Sequence, residues 1–172
     1  KVIIGLLTPE TGSIMISGSD VRQYARADLF RKVGTVFQES WLFSGTIRDN
    51  VAMGQDDCSE QNIVDCLRAA GANFIGEGTS ADLDFLIQDQ GSNLSGGQRQ
   101  SIMMARALAF NPDIFLFDEP TSAMDGLTES EVIASLSSNL GNKTLLVVTH
   151  KMPVVAMCDR VLVMDNGKLV GD

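Results

Sequence analysis

The chain has 172 residues, enough for one domain with a real core, and 44% of them are hydrophobic. Its net charge of −9 argues against a surface built to hold nucleic acid or anionic lipid, although a local phosphate site made of backbone amides needs no net charge. Cys58, Cys66 and Cys158 form no close pair, which fits a reducing cytosol, and neither a signal peptide nor an apolar run of about eighteen residues is present, so any membrane-spanning part lies outside these residues.

Residues 1–7 read as the end of a helix stopped by Thr8-Pro9, as if the chain began in mid-helix. Residues 12–18 read as a short strand between two glycine turns, and 26–32 as a short helix. Residues 33–37 form a second strand ending at Gln38. From 49 to about 93 the character changes to short helical patterns. One covers 59–70, where Ile63, Leu67 and Ala70 recur at helical spacing behind a partial Ser59/Asn62 cap. This acidic stretch reads as a helical subdomain inserted into an α/β core, with an outer face that is a plain solvated surface. The division is 1–48 and 111–172 for the core and 49–110 for the helical part.

After Gly96-Gly97 a helix is predicted to run to about Ala109, ended by Asn111-Pro112. Residues 114–118 read as a strand, 128–140 as a helix and 144–149 as a strand. Pro153 suits the first turn of a further helix. Residues 160–165 and 168–170 flank Asn166-Gly167, a strong hairpin signal. Phe-Leu-Phe (115–117) and Leu-Leu-Val-Val (145–148) are apolar on both faces, as in parallel strands covered by helices. The fold class is α/β: a mostly parallel sheet with helices on both faces, an inserted helical subdomain and a short C-terminal antiparallel hairpin.

Asp118 and Glu119 end an apolar strand, where ligands of open α/β sheets bind. One carboxylate can serve the water shell of Mg²⁺ and the next can take a proton from attacking water. On their own, the pair is equally compatible with two acids in a turn. Ser95-Gly96-Gly97-Gln98 opens a helix, whose first amides face outward unpaired and attract phosphate. Alone, Ser-Gly-Gly is an ordinary capped entry; the longer Leu94-Ser95-Gly96-Gly97-Gln98-Arg99-Gln100 string is far more specific. His150, the only histidine, follows an apolar strand and is either structural or a partner for a terminal phosphate. Arg99 and Arg106 read as structural or interface residues.

In this order the motifs resemble those of the nucleotide-binding domain of ABC transporter ATPases, a P-loop NTPase-like fold, over nearly the whole chain. Gln38 is similar to the Q-loop glutamine, Leu94 to Gln98 to the signature, Ile114 to Glu119 to the Walker B strand, Ser122 to Asp125 to the D-loop and His150 to the switch histidine. The resemblance implies ATP and Mg²⁺ as cofactors. Asp118 and Gln38 would serve the metal, with Glu119 as general base, Gln38 linking chemistry to the helical part and His150 at the γ-phosphate. Ser95, Gly96, Gly97 and Gln98 would cover ATP held by a second domain, and Asp125 would act across the same dimer interface.

Leu42-Phe43-Ser44-Gly45-Thr46-Ile47-Arg48-Asp49-Asn50 resembles the exporter type, as does Gln88 to Asn93, although Asp89 stands where glutamate is usual. Pro120 to Asp125 and Val163 to Lys168 are similar to bacterial type I protein secretion ATPases. The implied partners are a second nucleotide-binding domain, expected as a homodimer, and a transmembrane domain upstream on the same chain. No nucleic-acid partner is expected, and the implied location is the cytoplasmic face of a bacterial inner membrane. A non-transport ABC ATPase is the alternative, but no heptads separate Gln38 from Ser95 and no basic linker is present. A non-hydrolysing dimerisation or docking half is another; intact Glu119 and signature residues speak against it.

The departure is the absence of a Gly-x-x-x-x-Gly-Lys-Ser/Thr loop. By the resemblance, Lys1 aligns within the helix that follows that loop. Residues 1–172 are therefore expected to bind ATP weakly or not at all, and to be inactive, when expressed alone.

Overall fold

Strands apolar on both faces belong inside a sheet. The computed structural model describes residues 1–38, 41–55, 57–75 and 80–172, the side chains of 80 and 81 excepted, and builds the sheet from those strands. Residues 56 and 76–79 of the expected helical part lie outside the described residues. The elements in order are β1 (Met15–Ile16), β2 (Ser19–Asp20), α1 (Arg26–Lys32), β3 (Val33–Val36), β4 (Gly45–Thr46), α2 (Ile47–Ala52), α3 (Glu60–Ala69) and α4 (Ser80–Leu83). Then come β5 (Leu86–Ile87), α5 (Gly96–Ala109), β6 (Ile114–Asp118), α6 (Gly126–Asn139), β7 (Thr144–Val148), α7 (Met152–Val155), β8 (Val163–Asp165) and β9 (Lys168–Gly171).

The helix end expected at residues 1–7 is a turn with a capping pattern. Leu6 N–H bonds to the Lys1 carbonyl at 3.1 Å, and Gly5 N–H to that of Val2 at 3.0 Å, with Gly5 at φ 68°. This is the Schellman pattern that terminates helices. Residues 12–18 are not one strand: β1 turns back on β2 through Ser17 and Gly18, both at positive φ. A serine in the left-handed region is uncommon, which hid the turn.

The central sheet is parallel, in the order β3-β6-β7. Phe115 and Phe117 point from β6 into the main core, with Ile102, Met104, Val132 and Leu136 from α5 and α6. Ile114 and Leu116 point the other way, onto Ile4, Ile16, Val21 and Leu29. The expected two-sided cover fails at β7. Leu145 and Val147 meet the core, but Leu146 and Val148 on the opposite face are exposed, Val148 at 61%. The reason is position: among the described residues β7 is an edge, and α1 packs on β3 at the other side of the sheet.

Ser59 caps α3, accepting from Asn62 N–H at 3.2 Å. Helix α6 starts at Gly126, earlier than expected, because Asp125 is its cap. The C-terminal hairpin turns at Asn166-Gly167, both at positive φ, as predicted. Its first strand is shorter than expected, and Arg160 instead pairs with Asp172. No helix among the described residues is long and apolar enough to cross a membrane.

Arg106 explains how residues 41–50 are held. Its guanidinium donates to the carbonyls of Asn50 at 2.7 Å and Trp41 at 3.0 Å and to Asn50 Oδ1 at 2.8 Å. It also sits 5.3 Å from the Phe43 ring centroid. Burial pushes its pKa down to about 10, so it stays a cation at neutral pH. Asn50, fully buried, spends both ends of its amide on Phe43, Thr46 and Arg106.

Candidate functional site

Parallel strands send their carboxyl ends in one direction, so the residues after them gather at one edge of the sheet. Val36 pairs with Phe117, and Asp118 with Val148. Gln38 after β3, Asp118 and Glu119 at the end of β6, and His150 after β7 therefore leave the sheet at the same end. The structure brings Glu119 and His150 into contact, with 2.6 Å between Glu119 Oε1 and His150 Nδ1. Thr149 Oγ1 donates to Glu119 Oε2 at 3.3 Å. His150 remains exposed, with its side chain 79% accessible, so its ring is open to a ligand while it touches the carboxylate. Gln38 is exposed.

Glu119 sits at φ 49°, in the left-handed region, which costs a non-glycine residue about 1 kcal/mol or more. Hydrogen bonds on every side hold it there. Its N–H donates to the Val148 carbonyl at 2.8 Å, and its carbonyl accepts from Gln100 Nε2 at 2.9 Å. The strained turn aims the carboxylate beyond the sheet edge and toward His150.

The signature residues open α5. Ser95 is the N-cap: its Oγ accepts from Gln98 N–H at 3.2 Å, and Gln98 Oε1 accepts from Ser95 N–H at 2.8 Å. This capping box fixes the direction of the first turn, whose remaining amides face away from the helix. Gly96 and Gly97 lie against the 122–125 loop. A Cβ on Gly97 would stand 3.0 Å from the Ala123 carbonyl oxygen, and one on Gly96 3.1 Å from Ala123 Cβ. Asp125 ends that loop as the cap of α6, accepting from the N–H groups of Leu127 and Thr128, both at 3.0 Å, and from Thr128 Oγ1 at 2.8 Å. The Thr128 bonds, first its backbone N–H, lower the Asp125 pKa and keep it anionic.

Sequence reasoning missed a buried cluster beneath these loops. Thr121 Oγ1 donates to Glu129 Oε1 at 2.5 Å; Lys151 Nζ donates to the Thr121 carbonyl at 2.7 Å and pairs with Glu129 at 2.9 Å. It joins the loop after Glu119, helix α6 and the residue after His150. Burial works to raise the Glu129 carboxyl, but the bonds from Thr121 and Lys151 and the lysine charge outweigh it and leave its pKa lowered. A carboxyl lowered in the folded state contributes stability above its unfolded value and loses that contribution as pH falls through the folded one. The difference in melting temperature between wild type and Glu129→Gln should be full at neutral pH and close below the ordinary glutamate value of 4.5. A difference that persists unchanged into strong acid contradicts this.

Asp118 and Gln38 offer oxygen donors at the sheet end, the hard ligands that Mg²⁺ takes with water in an octahedral shell. No cluster of three or more His, Cys, Asp or Glu side chains suited to a metal is found among the described residues. This donor set fits a cation whose shell is completed by phosphate and water rather than by a protein cage.

A protein-family model described as ABC transporter matches residues 1–122. The chain is 39% identical over 163 residues to the Beta-(1-->2)glucan export ATP-binding/permease protein NdvA of Rhodopseudomonas palustris, covering 94% of this chain and 27% of that protein. It is 36% identical over 172 residues to the Alpha-hemolysin translocation ATP-binding protein HlyB of Escherichia coli O157:H7, covering 100% of this chain and 24% of that one. A solved structure of a bacterial Atm1-family ABC exporter with ATP bound superposes with a TM-score of 0.90 at 32% identity, covering 99% of this chain and 30% of that chain. The chain thus spans about a quarter of the length of these two curated relatives.

Proposed function

Because the chain belongs to the ABC transporter family, as an exporter-type ATP-binding domain, we propose that it hydrolyses ATP, with Mg²⁺, to power export across a bacterial inner membrane from the cytoplasmic face. The observation that carries this reading is the Glu119–His150 contact at the sheet end, beside Asp118 and Gln38. Phosphoryl transfer needs positioning and charge stabilisation more than covalent chemistry. Glu119 is suited to accept the proton of an attacking water, and His150 to hold the terminal phosphate in line. Asp118 and Gln38 would hold Mg²⁺, which when bound neutralises charge on the phosphates. The amides after Ser95, with Gly96, Gly97 and Gln98, would cover the nucleotide of a second copy, and Asp125 would face that copy. A homodimer and a transmembrane domain upstream on the same chain complete this reading.

We further infer a protein or peptide cargo. Pro120 to Asp125 and Val163 to Lys168 support it, as does similarity along the whole chain to a protein named for hemolysin translocation. Relatives of comparable identity are named for glucan export and as a lipid A-core flippase. The full-length protein, reconstituted in liposomes, should hydrolyse ATP faster when offered a secreted polypeptide than when offered β-glucan or lipid A. Stimulation by glucan or lipid A alone would overturn the cargo while leaving the ATPase reading intact.

A further inference from the structure

Gln100 lies in the core of the molecule, on helix α5, and is 7% exposed. A buried primary amide must spend its donors and acceptor on something. Gln100 spends all of them on the segment after the catalytic strand. Nε2 donates to the Glu119 carbonyl at 2.9 Å and to Ser122 Oγ at 2.8 Å, and Oε1 accepts from Ala123 N–H at 2.9 Å. One of those partners is the carbonyl of the residue held at φ 49°.

We propose that Gln100 is a positioning residue: it locks the left-handed Glu119 and the 122–125 loop to the helix that begins with the signature. The proposal rests on reading Glu119 as the base. A second observation supports it. Gly96 and Gly97, on the turn of α5 before Gln100, touch the same loop so closely that a Cβ would press on Ala123. Helix start, loop and strand end therefore move as one body, and a shift of the signature on a partner's nucleotide is felt at this chain's own carboxylate. Gln100 touches no reacting atom; it acts by keeping the Glu119 peptide in a conformation that its own backbone preference resists.

The test uses the full-length dimeric protein. Gln100→Leu removes all three bonds with little change of size. It should lower turnover per bound ATP by about tenfold or more while the KM for ATP stays within about twofold, the pattern of an interaction needed in the transition state. Placed on top of Glu119→Gln, it should leave the population of ATP-closed dimers at the level of Glu119→Gln alone, since the signature still covers the partner's nucleotide. Gln100→Glu keeps the acceptor for Ala123 and loses both donations; it carries the same expectation if the leucine variant does not fold. Unchanged turnover overturns the proposal. So does a parallel fall of closed dimers and turnover, which would make Gln100 a support of the signature only. A wild-type protein without ATPase activity would instead defeat the reading of Glu119.

Discussion

Glu119→Gln in the full-length protein should lower steady-state ATP hydrolysis by roughly 10²- to 10⁴-fold, the usual worth of a positioned general base. That corresponds to about 3–5 kcal/mol of barrier. The change is nearly isosteric. Glutamine keeps one oxygen to accept from Thr149 Oγ1 and turns its NH₂ toward His150 Nδ1, which accepts in its other tautomer, so the turn after β6 keeps partners on both sides of the side chain. The backbone bonds to Val148 and Gln100 do not involve the side chain at all. What is lost is the capacity to take a proton. ATP binding should therefore be spared, and losing one negative charge near the terminal phosphate favours it slightly. Phosphate release and equilibrium nucleotide binding, measured on the same preparation, separate the two effects. Turnover within a few-fold of wild type would remove Glu119 from its assigned role.

Gly97→Asp should be nearly as damaging, for a different reason. The glycine is needed for space: a Cβ would meet the Ala123 carbonyl oxygen at 3.0 Å and Met124 Cα at 3.7 Å, and both are backbone atoms. A carboxylate there would also stand among the amides proposed to cover a phosphate. Helix N-termini favour negative side chains, so the electrostatic effect on α5 itself is stabilising. Activity and stability should thus part company: ATP turnover falls about 10²-fold or more, as when a preorganised backbone donor is lost. The melting temperature falls only by what the clash with Ala123 costs. Turnover and melting that decline together would reduce Gly97 to a packing residue.

The strands and their ends were legible in the sequence because both signals are local. Apolar runs at 114–118 and 144–148 mark the sheet, and the residues just beyond them mark its ligand edge. The supports of that edge were not legible. Gln100 bonds residues 119–123, and Lys151 reaches Thr121 and Glu129. Such pairings have no spacing rule, since the fold alone brings them together. One sign was present: Gln100 falls on the stripe of α5 shared with Met103, Met104 and Ala107, all buried, where a polar side chain requires partners. Asp125 has a second role that its motif does not announce. Its place in the 122–125 motif drew attention to an interface, while its common use as a helix cap went unread. The uncovered face of β7 also escaped, because periodicity reports apolar character without saying what lies above it.

The central claim is that each ATP is served by the Glu119 of one copy and the signature of the other. Dimers purified with two tags test it by carrying Glu119→Gln and Gly97→Asp either on the same copy or on different copies. On different copies, both lesions fall in one site and the other site is intact, so hydrolysis should persist well above background. On the same copy, each site has one lesion and hydrolysis should be lost. Equal activity in the two arrangements, or survival only when both lesions share a copy, would contradict a site shared between two chains.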